Sequence, residues 1–288
     1  MRSILFAGAI MAALATAFQA RAASAETPQE VGFIEDFTLD PGAYTLTRGT
    51  TTIPVAILLP LQKNDVLTAN GAGARIVIQL SDRPDPKVIT DANGPVRIDD
   101  APPTHHYFSG LFSWTASSVA ILDHDHREEV AASIRGNDAR LSAPILAAPQ
   151  VLAAGRRALS IGWLSPSAVN VTITRAGKQV AAGRGVGGLW ASPPIDLAPG
   201  AYQIQIAART QAITQTLDVR AAEPLPDELV SSAAPESLRE TEIAAWLAAR
   251  GPSYALEALQ HVAGAGDFRA AQILSDALIA GKRLAPPP

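Results

Sequence analysis

The chain has 288 residues, with 23 basic and 27 acidic side chains, no cysteine and 48% hydrophobic content, enough for one large or two modest cores. Without cysteine there are no disulfides, no thiolate chemistry and no Cys-ligated zinc. A net charge of -4 with no long run of like charge argues against a nucleic-acid partner, and 22 prolines with 21 glycines favour short strands and turns over long helical bundles.

Met1-Arg2-Ser3 opens the chain with a positive charge, and Ile4 to Phe18 is uncharged and rich in alanine. Small-residue cleavage patterns follow at Ala20-Arg21-Ala22 and Ala23-Ser24-Ala25. Together they describe a secretory signal peptide over residues 1–25. The alternative is an uncleaved anchor, for which the apolar stretch falls short of the roughly 20 residues that span a bilayer. No later stretch approaches that length. The expectation is therefore an exported protein, periplasmic or secreted, with no membrane span after signal removal.

From Val31 to about Asp100 much of the chain alternates on a two-residue period, the mark of half-buried strands. Tyr44, Leu46 and Arg48 alternate with threonines, and Ile53, Val55 and Ile57 carry the rhythm past Pro54. Ile76, Ile78 and Leu80 face one way, Arg75, Val77 and Gln79 the other. Asp40-Pro41-Gly42, Asn64-Asp65, Asn70-Gly71 and Asn93-Gly94 supply the turns. The run Leu61-Gln62-Lys63-Asn64-Asp65-Val66-Leu67-Thr68, followed by Gly73-Ala74-Arg75-Ile76-Val77-Ile78-Gln79-Leu80, resembles the core of FecR-like domains, with Asn64 where the family has glycine. The resemblance covers about 70 residues. It implies a FecR-like β domain over 27–142 and an exported, non-enzymatic protein. The family's best-known branch relays a signal through a membrane helix, and no such internal helix is found in this sequence.

Between 101 and 142, Leu111, Trp114, Ile121 and Leu122 fall near helical spacing with Ser109 as a possible N-cap. Ser117-Ser118 interrupts that face, so Val119 to Leu122 reads equally as a buried strand. A strand over Glu129 to Ile134, ending at Gly136-Asn137, is expected next. Residues 145–220 alternate again at 159–163, 169–173, 202–206 and 214–219, which predicts a β-sandwich with Trp163 as a central core ring. Leu197-Ala198-Pro199-Gly200-Ala201-Tyr202 looks like the tyrosine corner of Ig and fibronectin-type domains, which implies an Ig-like β-sandwich. Leu39-Asp40-Pro41-Gly42-Ala43-Tyr44 repeats the pattern.

Residues 221–235 read as a proline-rich linker, and 236–283 as a helical C-terminal segment. Ser237 and Glu240 form a capping-box pattern for a first helix to about Arg250, stopped by Gly251-Pro252. A second helix is predicted from Ser253 to Val262, and a third from an Asp267 N-cap to a Gly281 stop. Ala255-Leu256-Glu257-Ala258-Leu259 with Gly266-Asp267-Phe268 is similar to one tetratricopeptide-type helical hairpin. The predicted fold class is mainly β with a C-terminal α segment: FecR-like β module, Ig-like sandwich and helical hairpin.

No catalytic residue and no cofactor is assigned. Gly183, Gly185 and Gly188 fit G-x-G-x-x-G, but Pro193-Pro194 follow where the dinucleotide mechanism needs a helix start, so a flexible sandwich loop is expected. His105-His106 and His124-Asp125-His126 offer imidazoles for zinc or nickel. His124 and His126 converge if extended and diverge on a helix, and an exposed polar loop is the simpler reading. The adjacent acids Glu35-Asp36 and Asp99-Asp100 point apart on a strand and form no carboxylate pair. Asn170-Val171-Thr172 is a glycosylation sequon inside a predicted strand. The expected function is a non-enzymatic envelope protein binding a protein partner, in signalling or envelope assembly, through Trp246, Tyr254 and Phe268. The alternatives are a wall-polysaccharide binder using Trp114 and Trp190, and a metal-dependent enzyme at the histidine clusters.

Overall fold

The computed structural model describes residues 30–81, 83, 85–99, 110–132, 140–165 and 167–287. The expected signal peptide, Asp100, His105, His106, Ser109 and the Gly136-Asn137 turn lie outside the described residues. The fold is mainly β with a C-terminal helical segment.

The N-terminal module contains eight strands: β1 (Glu30–Phe37), β2 (Tyr44–Arg48), β3 (Thr51–Ile53), β4 (Pro60–Gln62), β5 (Val66–Ala69), β6 (Arg75–Leu80), β7 (Lys87–Thr90) and β8 (Val96–Arg97). They form two antiparallel four-stranded sheets, in the orders β4-β1-β6-β7 and β3-β2-β5-β8. Ile34, Ile76 and Ile78 of the first sheet and Leu46 and Leu67 of the second are fully buried in one core. The rhythm at 53–57 does not continue as strand, since β3 ends at Ile53, but Val55, Ile57 and Leu58 are still buried.

The Asn64-Asp65 turn is the polar anchor of this module. Asn64 adopts φ +69°, the left-handed region that asparagine tolerates better than other non-glycine residues. That places the Asp65 carboxylate inward, with no solvent exposure, where it accepts Arg48 Nε at 2.9 Å, Arg48 Nη2 at 2.8 Å and the Gln62 amide at 2.8 Å. Arg48 Nη2 also donates to the Pro60 carbonyl at 2.9 Å, so one bidentate pair ties β2 to β4 across the two sheets.

A single helix follows, α1 (Gly110–Ala132), and corrects two expectations. Val119 to Leu122 is helical, and Glu129 to Ala132 belongs to the helix where a strand was expected. Leu111, Phe112, Thr115, Ala116, Val119, Leu122 and Asp123 are buried and recur at helical spacing, whereas Ile121 is 63% exposed.

The second β module contains β9 (Gln150–Ala153), β10 (Gly155–Arg157), β11 (Ser160–Gly162), β12 (Val169–Arg175), β13 (Lys178–Gly185), β14 (Leu189–Ala191), β15 (Ile195–Leu197), β16 (Gly200–Ala208) and β17 (Gln211–Arg220). The main sheet has the order β13-β12-β16-β17-β9, antiparallel except for the β17–β9 pair. Facing it are the short pairs β10–β15 and β11–β14. Val171, Ile173, Ile204 and Ile206 alternate into the core with Trp163, and the Tyr202 hydroxyl donates back to the Ala198 carbonyl at 3.0 Å. The G-x-G-x-x-G run lies on β13 and the turn after it, not in a free loop. A Cβ on Gly183 would sit 2.4 Å from Trp190 Nε1, and one on Gly185 would sit 2.3 Å from Trp163 Cη2. The two glycines make room for two indoles.

The expected linker contains a short helix, α2 (Asp227–Val230), whose Leu229 is buried. Three helices follow: α3 (Glu236–Ala249), α4 (Ala255–Ala263) and α5 (Arg269–Ile279). The expected capping box does not form, because Pro235 holds the N-cap position, Ser237 lies inside α3 and Glu240 turns to His261. Phe268, not Asp267, is the N-cap residue of α5. Gly281 ends α5 as expected: at φ +74° it lets the Lys282 amide reach the Ala277 carbonyl at 2.9 Å.

Helices α1, α3, α4 and α5 pack into one layer that touches both β modules. On the N-terminal side Phe33 of β1 meets Phe112 of α1 at 6.1 Å between ring centroids and Phe268 edge-on at 6.4 Å. On the sandwich side α4 packs against β9 and β11, and Ile279 of α5 fills the space that a side chain on Gly162 would need. The C-terminal helices are therefore not a free tail but a layer packed on both β modules.

Candidate functional site

The seam between α4 and the sandwich is crossed by a series of polar contacts. Its framework comes from the sandwich edge. Gln150, fully buried on β9, accepts the Leu256 amide at 3.0 Å and donates to the carbonyls of Ala148 at 2.7 Å and Pro252 at 3.0 Å. It thus supplies from another module the N-terminal cap that α4 lacks in its own sequence. Gln260 of α4 pairs with the Ser160 backbone, accepting its amide at 2.7 Å and donating to its carbonyl at 2.9 Å. Between them, Arg157 of β10 forms a two-pronged ion pair with Glu257 of α4, and Glu257 also accepts the Ala153 amide at 3.2 Å.

The charge network extends along the helices. His261 Nδ1 donates to Glu240 of α3 at 2.7 Å, and its Nε2 lies 3.8 Å from Glu257. The His261 hydrogen bond, backed by the charges of His261 and Arg239, holds the Glu240 carboxyl below its usual range. At the other end the Tyr254 hydroxyl donates to Glu223 at 2.7 Å, and Arg250 and Arg220 close around the same carboxylate. Those contacts, the tyrosine first, lower the Glu223 pKa.

A cavity of about 220 Å³ lies between these two clusters. Its walls are Val151 and Ala153 of β9, Leu247 of α3, and Ala221, Ala222 and Leu225 of the segment after β17. Arg157, Glu223, Tyr254, Glu257 and His261 complete the lining.

Two of the three residues expected to meet a partner come together here. The Arg250 guanidinium lies 5.0 Å from the Trp246 ring centroid and 5.2 Å from that of Tyr254. Arg220 approaches the Tyr254 ring at 5.7 Å. Trp246 and Tyr254 are each half-buried, and the Arg250 side chain is 40% exposed. Phe268 is apart from them, 5% exposed and committed to the core against Phe33. Sequence reasoning missed Arg250, Arg220 and the whole Arg157–Glu257–His261 array. A partial signal existed, since Trp246, Arg250 and Tyr254 recur at a spacing of four, a spacing that on a continuous helix places side chains on one face.

The other candidates fare differently. Trp190 is 8% exposed beneath β13, so it offers no platform to a sugar ring, and Trp114 is half-buried on α1. His124 lies on α1, so the extended arrangement that would let a His124-Asp125-His126 run converge on a metal is not formed. Among the described residues no group of three potential ligands is placed to hold a metal ion. No helix among them is long and apolar enough to cross a membrane.

Neither a family model nor a curated protein matches the chain. Among solved structures it is similar to the complex of Porphyromonas gingivalis RgpB pro- and mature domains, at 13% identity and a TM-score of 0.21, over 28% of this chain and 18% of that one. Surface layer protein SbsC, domains 4–9, aligns at 11% identity and a TM-score of 0.22, over 66% of this chain and 24% of that one. A tandem of titin Ig domains aligns at 10% identity and a TM-score of 0.22, over 62% and 80%. The chain spans less than a quarter of the length of the first two. Likenesses at this level carry no argument about role.

Proposed function

We propose that this chain is a non-enzymatic, exported envelope protein that binds a protein partner through the Trp246–Arg250–Tyr254 face of its helical layer. The observation that carries the reading is the half-exposed Arg250 set against two aromatic rings. Trp, Tyr and Arg are enriched among the residues that dominate binding energy at protein interfaces: the two aromatics bury large area with few rotatable bonds, and Arg stacks on rings while offering several donors. Arg250 is already ordered by its rings and by Glu223, so a partner meets a preformed surface. Export rests on the leader-like residues 1–25. A FecR-like N-terminal module is supported by the left-handed turn at Asn64 and the inward Asp65. An Ig-like sandwich is supported by the parallel β17–β9 edge and the Tyr202 corner.

The test is in-cell crosslinking of the tagged protein with mass spectrometry, comparing the wild type with Trp246→Ala and Arg250→Ala. The proposal expects a partner captured by the wild type and lost from both variants at unchanged abundance. A partner retained by both variants, or none captured by the wild type, overturns it.

A further inference from the structure

Resting on the partner reading above, we infer that Glu223 is an internal stand-in for an acidic side chain of that partner. The partner presents its own carboxylate to Arg250 and Tyr254 and displaces residues 221–225 from them. The first reason is where Glu223 binds. Its carboxylate accepts the Tyr254 hydroxyl at 2.7 Å and Arg220 Nη2 at 2.6 Å, and lies 3.3 Å from Arg250 Nη2. Two of the three residues of the proposed face therefore already hold a carboxylate, the group that a guanidinium and a phenol hydroxyl are built to bind. The same contacts, the Tyr254 hydrogen bond first, lower the Glu223 pKa, so the clamp favours the charged acid. Arg220 and Arg250 both reach solvent, so the clamp is open to a second acid from outside.

The second reason is how lightly the segment that carries Glu223 is tied down. Among the described residues the backbone of 221–225 makes no hydrogen bond to another backbone group, and Pro224 has no amide with which to make one. Ala221 and Ala222 are exposed, and Leu225 is half-buried at the cavity. The Glu223 carboxylate and Leu225 thus hold this stretch against the helices, and the next fully buried side chain is Leu229. A segment with so few ties opens at little cost. Arg250 keeps its place when the segment leaves, because the Trp246 and Tyr254 rings still flank it. The departure also uncovers Val151, Ala153 and Leu247. An apolar residue two positions beyond the partner's acid, as Leu225 is from Glu223, then has walls to meet.

Glu223→Ala empties the clamp at a part-exposed position. Propionate, the glutamate side chain as a free acid, is titrated into the full chain carrying that change and followed by NMR of the arginine and tyrosine side chains. It should bind saturably with a Kd of about 10 mM. Propionamide to the same variant, and propionate to the wild type or to Glu223→Ala/Arg250→Ala, should bind at least about fivefold more weakly. In the in-cell crosslinking described above, Glu223→Ala should capture about two- to fivefold more partner than the wild type at equal abundance, because no internal carboxylate competes. Glu223→Gln, which keeps the shape without the charge, should move capture in the same direction. Propionate that does not saturate, or that binds no better than propionamide or than it does to the wild type, overturns the inference. So does a partner captured equally or less well by both Glu223 variants, which leaves the partner reading standing. No capture by any of these chains overturns both.

Discussion

Replacing Gln150 with methionine keeps its volume and removes all three of its hydrogen bonds. The Leu256 amide is left at a helix start with no partner, and the carbonyls of Ala148 and Pro252 each lose a donor. An unsatisfied buried group costs about 1–3 kcal/mol, and the two carbonyls have second lone pairs with which to recover some of it. The expected destabilisation is about 2–4 kcal/mol, which for a chain of this size lowers Tm by roughly 5–15 °C. Melting followed by circular dichroism reads it, with native-state hydrogen exchange at the Leu256 amide as a local reporter. Gln203→Met, at an exposed position of β16, is the control and should stay within about 0.5 kcal/mol. A Gln150→Met protein that melts within about 2 °C of the wild type would refute the reasoning, because water would then be serving the seam as well as the glutamine does.

Other perturbations reach other parts of the fold. Asp65→Ala removes the carboxylate from the part-exposed Arg48, which keeps the Pro60 carbonyl, and from the Gln62 amide, and should cost about 2–3 kcal/mol in urea unfolding, whereas Asn64→Gly, which keeps the left-handed turn, should cost less than about 1 kcal/mol. Gly183→Ala and Gly185→Ala force a methyl into the indoles of Trp190 and Trp163; each should cost about 1–3 kcal/mol and change the tryptophan emission, and an unaltered spectrum would contradict the packing. Glu242, 2% exposed on α3, has its pKa pushed up to about 8 by burial and by nearby Glu228. In the unfolded chain it ionises near 4.5, so unfolding releases a proton between those values and stability falls as pH rises from about 4.5 to 8. Glu242→Gln should therefore raise Tm more at pH 8 than at pH 5, and an equal change at both would show that Glu242 ionises normally in the native state.

The strands were legible where one face is buried and the other wet. At 169–173 and 202–206 alternate residues enter the core, so the two-residue period survives in the sequence. The α1 helix was illegible for a specific reason. Its buried stripe contains Thr115 and Asp123, while Trp114 is only half-buried and Ile121 faces outward, so the apolar residues that catch the eye mark the wrong face. Asp123 is tolerated there because Arg127 donates to it at 2.9 Å from one turn later and Arg269 of α5 lies 3.6 Å away. The candidate site was half legible. Trp246 and Tyr254 stood out by type, but the groups that order them and line the cavity come from β9, β10 and the segment after β17, about 25 to 105 residues away in sequence. Spacing within one element says nothing of such meetings.

The contact of Phe33 with Phe268 joins residues near the two ends of the described chain. A ribosome makes the first β module and α1 long before α5 exists, so the side of Phe33 that Phe268 covers stays open, with only Phe112 against the ring, while the second β module is synthesised. In that interval the nascent chain presents an adhesive surface that its own last helix will later occupy. A segment that spans the first two modules, cut from the rest for convenience, would keep that surface permanently open, and its self-association would be mistaken for a property of the native protein.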